Sequence, residues 1–406
     1  MSASPYVLWR AARQSQARSA AIDPAKRLTF GRDELYATEG TSDAAGATGE
    51  RLAEGRSLQQ LHLVVQVGNR FQAEHPDVPV LYSNGRYLLV DLSPEEAATR
   101  ARSACYAVQP VSLPQVVYDE RARGAGRARA RQGVQDVLDL VSPSRLLSSV
   151  ELLAAAHTRE STSDGFREAA EGVKTTLEGV GCEVRLEAIA VGAKRSLNVV
   201  ADRRGSGPSP RGTLLVTAHL DSINHDNPSD AAPGADDNAS GAAGVLEIAT
   251  CLAGLGHAQD LRFILFGGEE QGLFGSLAHV VGLGSGHGVR TVINMDMIAA
   301  INTATGPTVL IEGGPISQRL IDNLVEAAGT YTGLAVQTSL HFANSDHVPF
   351  IRAGIPAVLL IEGNDSANTH VHTARDTVDR LNVDLMAEIV RMHLAFLVEA
   401  AGVFAS

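Results

Sequence analysis

From about Ser144 to the C-terminus, apolar strand-like runs alternate with stretches of helical character. The runs are LNVVA (197–201), TLLVTAH (213–219), LRFILF (261–266), TVINMDM (291–297), TVLIEG (308–313) and IPAVLLIEG (355–363). Helices are predicted between and after them, at 239–254, 272–282, 316–328 and 382–402. Continuous apolar strands separated by helices predict a largely parallel sheet covered on both faces. The fold class expected is therefore α/β, a doubly wound and largely parallel mixed sheet.

The first 130 or so residues follow another pattern, that of a small α+β unit. VPVLYSNGRYLLVDL (Val78–Leu92) is two apolar runs joined by Asn84-Gly85, a hairpin signal. Ser93-Pro94-Glu95-Glu96 follows with an N-cap, Pro at the first helical position and Glu at N3, the signature of a capping box. Next comes DERARGAGRARARQG (Asp119–Gly133), where Arg121, Arg123, Arg127, Arg129 and Arg131 stand among Ala and Gly. It reads as a solvated linker or exposed helix; a nucleic-acid contact or a protease-sensitive site are the rival readings. No aromatic residue interleaves with the arginines as a base-stacking platform requires. The expected division is 1–132, an accessory or propeptide-like domain, and 133–406, the chemistry-bearing domain.

Composition narrows the functions. At 406 residues, 44% hydrophobic and 20% charged, the chain buries a large core. No run of about 18 apolar residues is present, so no membrane span is expected. The N-terminus shows no apolar stretch of signal-peptide length. That predicts a cytoplasmic protein if the chain is complete as it stands, and a secreted one if a signal has been removed. Cys105, Cys182 and Cys251 form neither a disulfide framework nor a CxxC pair. Residues up to Arg145 carry +2 and those after it −14, together the net charge of −12. That acidic part makes nucleic acid an unfavoured partner and suits cations or substrates carrying free amines.

In open α/β sheets, ligands gather beyond the carboxyl ends of the strands. His219 closes one predicted strand, Glu269 and Glu270 follow another, and Asp296 ends a third. Asp236 and Asp237, in PGADDNASG (233–241), precede the helix at 239. Singly, each has a structural explanation: a hydrogen-bonded core histidine, or carboxylates serving a helix start. Together, uncompensated carboxylates in one cleft would repel and protonate, so cations are expected. Carboxylate plus imidazole without thiolate suits zinc, or failing that manganese or cobalt. Asp221, two residues after His219, is placed to orient its imidazole if the backbone turns back.

These residues resemble the co-catalytic dizinc aminopeptidases typified by secreted bacterial leucine aminopeptidases, a family whose relatives include glutamate carboxypeptidases and glutaminyl cyclases. The resemblance runs from about Ser144 to the C-terminus. It rests on H-L-D-S (219–222), G-A-D-D-N-A-S-G (234–241), G-G-E-E-x-G-L-x-G-S (267–276), N-x-D-M (294–297), S-D-H-x-x-F (345–350) and H-T-x-x-D-T (372–377). It implies two Zn2+ ions, replaceable by Co2+ or Mn2+. His219 and Asp296 would hold one, Glu270 and His372 the other, and Asp237 would bridge them. Glu269 would be the general base, and Ser345 and Asp346 would support the ligands. Asp236 would then be a bystander whose change to Asn is tolerated. His372, which directly precedes Thr373, is preferred over His370 as the ligand. Where secreted relatives often carry an oxyanion-stabilising tyrosine, this chain has Phe342, which cannot donate a hydrogen bond. His341 or a backbone N–H is the expected substitute.

The function implied is removal of N-terminal residues from peptides with a free N-terminus. A carboxypeptidase or dipeptidase, or a one-zinc glutaminyl cyclase, would share the scaffold, and a binding protein that has lost activity is a further reading. The Gly-rich GLGSGHG (282–288) lacks dinucleotide-site spacing, and no serine occupies a G-x-S-x-G elbow.

Overall fold

The computed structural model describes residues 5–11, 24–39, 49–100, 105–121 and 128–405; Arg123 and Arg127 of the arginine-rich segment lie outside them. The chain forms two compact units. The first contains Met1–Glu120 together with two later segments, Gln337–Asn344 and Asn364–Thr369; the second contains Arg121–Val336, Ser345–Gly363 and His370–Ser406.

The first unit carries strands β1 (Tyr6–Ala11), β2 (Arg27–Phe30), β3 (Asp33–Glu39), β4 (Gly49–Gly55), β5 (Leu61–Gln66), β6 (Val80–Ser83), β7 (Tyr87–Asp91), β8 (Tyr106–Pro110) and β9 (Gln115–Arg121). Two short helices, α1 (Arg70–Glu74) and α2 (Pro94–Arg100), accompany them. The strands run β9-β2-β3-β1-β4 and β6-β7-β5-β8. The Asn84-Gly85 hairpin forms, with Gly85 at φ 92° in the region that glycine enters without strain. The capping box is reciprocal: Ser93 N donates to Glu96 Oε2 at 2.8 Å, and Glu96 N donates to Ser93 Oγ at 3.2 Å. The two late segments belong to this unit through specific bonds. Arg86 Nη1 donates to Asp365 Oδ2 at 3.1 Å, both side chains being buried. Ser339 Oγ donates to Val117 O at 2.6 Å.

The second unit opens with helices α3 (Gln132–Leu138), α4 (Pro143–Ala154) and α5 (Asp164–Gly179). Strands β10 (Glu183–Val191), β11 (Lys194–Arg203) and β12 (Thr213–His219) follow, then α6 (Gly241–Cys251), β13 (Leu255–His257), β14 (Asp260–Phe266) and α7 (Phe274–Gly282). After these come β15 (Val289–Met295), β16 (Thr308–Gly313), α8 (Gln318–Tyr331), β17 (Ala335–Ser339, from Gln337 on part of the first unit), α9 (His347–Arg352), β18 (Ala357–Glu362), α10 (Val383–Ala401) and β19 (Val403–Ala405). The main sheet of this unit runs β10-β11-β14-β12-β15-β18-β16. Its four central strands are parallel, and β10, β11 and β16 pair antiparallel at the flanks. The α/β mixed sheet expected from the alternating pattern is present, with strand edges within a few residues of the predicted ones. Strand segments such as Val199–Ala201, Leu214–Val216 and Phe263–Phe266 are buried on both faces, which is why they read as unbroken apolar runs. Among the described residues no helix is long and apolar enough to cross a membrane.

Helix α10 is buried almost all round, and in its middle His393 is fully buried with neither ring nitrogen hydrogen-bonded. Burial pulls its pKa down to about 3. The unfolded chain takes up this proton near pH 6.5 whereas the folded chain resists it, so stability falls as pH drops below about 6.5. His393→Leu is expected to flatten that dependence. The urea midpoint difference between variant and wild type should widen from pH 7.5 to pH 5; a difference that stays constant would refute the assignment.

Candidate active site

Parallel register brings the chemistry to one edge. His219, the last residue of β12, lies opposite Phe266 of β14, and Thr217 lies opposite Asn294 of β15. The loops that begin at Leu220, Gly267 and Asp296 therefore leave the sheet side by side. Glu269 and Glu270 are in the second of these loops. Asp237 lies in a tight turn, residues 235–240, that leads into α6. Gly234 opens the turn at φ 51°, and a Cβ there would lie 2.4 Å from Asp237 O and 2.5 Å from Ser222 Cβ. Only glycine fits that corner.

Asp237 is the centre of the arrangement. Its Oδ1 lies 3.2 Å from His219 Nε2, and its Oδ2 lies 2.9 Å from His372 Nε2. His219 Nε2 is also 3.2 Å from Asp296 Oδ1, and His372 Nε2 is 3.0 Å from Glu270 Oε2. Two sets of potential ligands result, His219–Asp237–Asp296 and Asp237–Glu270–His372, each with its donor atoms within 4.8 Å of one another. They share one carboxylate. His372 reaches its place with φ 58°, a left-handed conformation uncommon for a residue with a side chain. His370 turns elsewhere, its Nε2 lying 3.0 Å from Arg380 Nη1.

Around these groups a layer of hydrogen bonds fixes the backbone. Asp221 Oδ1 and Oδ2 accept from the amides of Glu269 and Glu270, both at 3.3 Å. The imidazole of His219 meets the backbone carbonyl of Asp221 at 3.1 Å, whereas the nearest Asp221 carboxylate oxygen is 3.6 Å away. Asp376 Oδ1 and Oδ2 accept from the amides of Asp236 and Asp237, at 2.9 and 3.0 Å. Ser345 Oγ donates to Asp296 Oδ2 at 2.7 Å and accepts from Asn294 Nδ2 at 2.8 Å. Asp346 is fully buried. Asp236 is also buried: its Oδ1 accepts from Ala299 N at 3.0 Å, and its carboxyl is hydrogen-bonded to that of Glu362. Asp236 is thus one of a carboxyl pair behind the turn. His341 faces Val116 O at 3.0 Å inside the N-terminal unit. His347 is buried, with Nε2 3.8 Å from Glu312 Oε1.

The electrostatics are those of crowded acids. Burial drives Glu269 well above the usual carboxylate range, and it pushes Glu270 and Asp346 up to about 7. Asp376 rises to about 8 for the same reason, with the charge of Asp236 adding to it. Asp237 goes the other way: burial raises it, but its bonds to His219 and His372 hold it well below the usual range. Burial disfavours charge on both imidazoles, yet the surrounding carboxylates drive them well above 6.5. The donor set suits a divalent cation at each triple: oxygen and imidazole nitrogen only, gathered at one point, with Glu270 Oε1 buried and lacking a hydrogen-bond partner.

Sequence reading gave no role to Asp376, although it stands in a quoted motif, and it passed over Glu362. Glu362 ends β18 and could have been found by the same strand-end rule that found Asp296. Arg159, fully buried beside this site, gave no local signal at all.

Residues 198–397, which include every residue of both triples, match the model of peptidase family M28. A probable leucine aminopeptidase of Arthroderma benhamiae is 30% identical over 280 residues, which is 66% of this chain and 75% of that protein. Another, from Arthroderma otae, is 29% identical over 319 residues, 72% of this chain and 83% of that one. The solved structure of the LapA aminopeptidase of Legionella pneumophila superimposes with a TM-score of 0.61 at 19% identity, covering 84% of this chain and 98% of that one, a likeness of fold. The family match, the identity to a relative across most of its length and the shared fold agree: the chain belongs to peptidase family M28 and is a metallo-exopeptidase.

Proposed function

We propose that the protein is a dizinc aminopeptidase, acting on peptides with a free N-terminus. The observation that carries this reading is the division of Asp237 between two imidazoles, Oδ1 toward His219 and Oδ2 toward His372. A one-metal enzyme has no use for a shared carboxylate with a complete triple on either side. In this reading His219 and Asp296 hold one zinc, Glu270 and His372 the other, and Asp237 joins them. Co2+ or Mn2+ would take the same donor set. When bound, the ions supply Lewis acidity to the scissile carbonyl and lower the pKa of the attacking water.

The protein's own part is positioning and proton transfer. Asp221 grips the amides of Glu269 and Glu270 in parallel, so the two carboxylates leave one short loop in different directions. Glu270 turns to His372, and Glu269 remains outside both triples. Burial raises the proton affinity of Glu269 above that of an exposed carboxylate; beside cations held by the two triples it would be kept ionised and able to accept a proton. It takes the proton of the nucleophile and delivers it to the departing amine. Ser345 and Asn294 fix the orientation of Asp296. The acidic excess after Arg145 supports attraction of a protonated α-amine.

Three outcomes are expected. Glu269→Gln should retain two zinc ions per chain by elemental analysis and lose about 10²–10⁴-fold in kcat on leucine p-nitroanilide; turnover near wild type would remove Glu269 from the base role. Asp237→Asn should lose bound zinc, whereas Asp236→Asn, whose amide can still accept from Ala299 and donate to Glu362, should keep it. Chelation should abolish cleavage of free but not create cleavage of N-acetylated substrate, with zinc or cobalt restoring it; equal cleavage of blocked peptides would point to another exopeptidase class.

A further inference from the structure

Arg159 is fully buried, beside a site whose chemistry is otherwise made of acids and histidines. Among the described residues its guanidinium has no carboxylate within hydrogen-bond distance. It donates instead to four backbone carbonyls: Nε to Leu220 O at 2.9 Å, Nη1 to Leu153 O at 3.0 Å and Pro233 O at 2.5 Å, and Nη2 to Gly234 O at 2.9 Å. Its own backbone pairs with Ser222, whose amide donates to Arg159 O at 3.2 Å and whose Oγ accepts from Arg159 N at 3.2 Å. Ser222 Oγ in turn donates to Ala232 O at 2.7 Å.

Leu153 lies in the last turn of helix α4; the other three carbonyls belong to the two segments that carry ligands. Leu220 directly follows His219, and Gly234 lies three residues before Asp237. Among the described residues no backbone hydrogen bond joins β12 to the 235–240 turn. The spacing between His219 and Asp237 therefore depends on side-chain links, of which Arg159 spans Leu220 and Gly234 and Ser222 reaches Ala232. A guanidinium is rigid and planar, with five N–H donors in fixed directions. It is also a permanent positive charge among buried acids: Asp376, Asp221, Asp237 and Glu270 all favour its charged form, against burial that lowers its pKa to about 10. Burying a guanidinium is costly, and a chain that needed only a filled core would use an apolar residue there.

We infer that Arg159 is a positioning residue for the metal pair: by clamping the carbonyls of Leu220, Pro233 and Gly234, it holds His219 and Asp237 at ligand spacing and so sets zinc affinity. The inference rests on the dizinc reading above. It assigns the effect to the clamp and not to charge alone, which separates two variants. Arg159→Met loses charge and donors; Arg159→Lys keeps the charge but offers a single ammonium that cannot reach four carbonyls in three segments.

The test is zinc competition against a chromophoric chelator, at a temperature where circular dichroism shows each protein folded, together with kcat measured across a zinc titration. Both variants should bind zinc about 10–100-fold more weakly than wild type, the range for losing an outer support of metal ligands. Excess zinc should restore most of kcat, because positioned ligands are recovered by mass action whereas a misfolded core is not. Zinc affinity within twofold of wild type in Arg159→Met would overturn the inference. So would wild-type affinity in Arg159→Lys, which would leave charge as the only contribution, and so would failure of both variants to fold, which would make Arg159 a core residue. If wild type itself binds no zinc, the dizinc reading fails, a result distinct from variants that bind as tightly as wild type.

Discussion

An ionised carboxylate taken out of water costs free energy in lost hydration, and a second one beside it adds repulsion. The catalytic unit accepts both costs repeatedly, since Asp221, Asp236, Asp237, Glu270, Asp346 and Asp376 are all less than a tenth exposed. Apart from Asp346, the acids fall into an inner set whose oxygens face imidazole and an outer set whose oxygens face backbone amides. Protons can be shared within the outer set, as between Asp236 and Glu362. The inner oxygens converge with imidazole nitrogen on two points, an arrangement that divalent cations neutralise.

The two acid doublets are built alike. Asp236-Asp237 presents two consecutive amides to both oxygens of Asp376, and Glu269-Glu270 presents two to both oxygens of Asp221. An outer aspartate thus straddles each pair of peptide N–H groups and fixes the plane of the backbone, and in each doublet the second acid enters a triple. The first acid turns aside, Asp236 toward Glu362 and Glu269 to a place outside both triples. Repeating an acid in sequence produces this division because neighbouring side chains in a bent backbone leave in different directions.

Much of this was legible before any coordinates. Four parallel strands buried on both faces must be written as apolar runs, and parallel strands must put their following loops at one edge. The positions of His219, Glu269, Glu270 and Asp296 were therefore a matter of topology. What escaped depended on long-range bonds between unremarkable segments. Arg159 lies in a polar stretch, HTRES, and its partners Leu220, Pro233 and Gly234 are 61 to 75 residues away. Nothing local announces a buried guanidinium that binds carbonyls. Strand β10, EVRLEAIAV, was also passed over, although it pairs along its whole length with β11. Its residues alternate in exposure as an edge strand's do, so it lacks the apolar run that marked its neighbours.

The composition of the N-terminal unit carries a consequence for descent. Because Gln337–Asn344 and Asn364–Thr369 belong to it, the chain passes between the units at 120/121, 336/337, 344/345, 363/364 and 369/370. Arg86 and Asp365, which seal one of these segments with a buried ion pair, stand 279 positions apart. A module joined by a single linker can be gained or lost by recombination at one end of a gene. This one is interleaved with the catalytic unit, its late segments directly preceding Ser345-Asp346 and the His370–His372 loop. Gain or loss of this unit would therefore involve three separate stretches of the chain instead of one end.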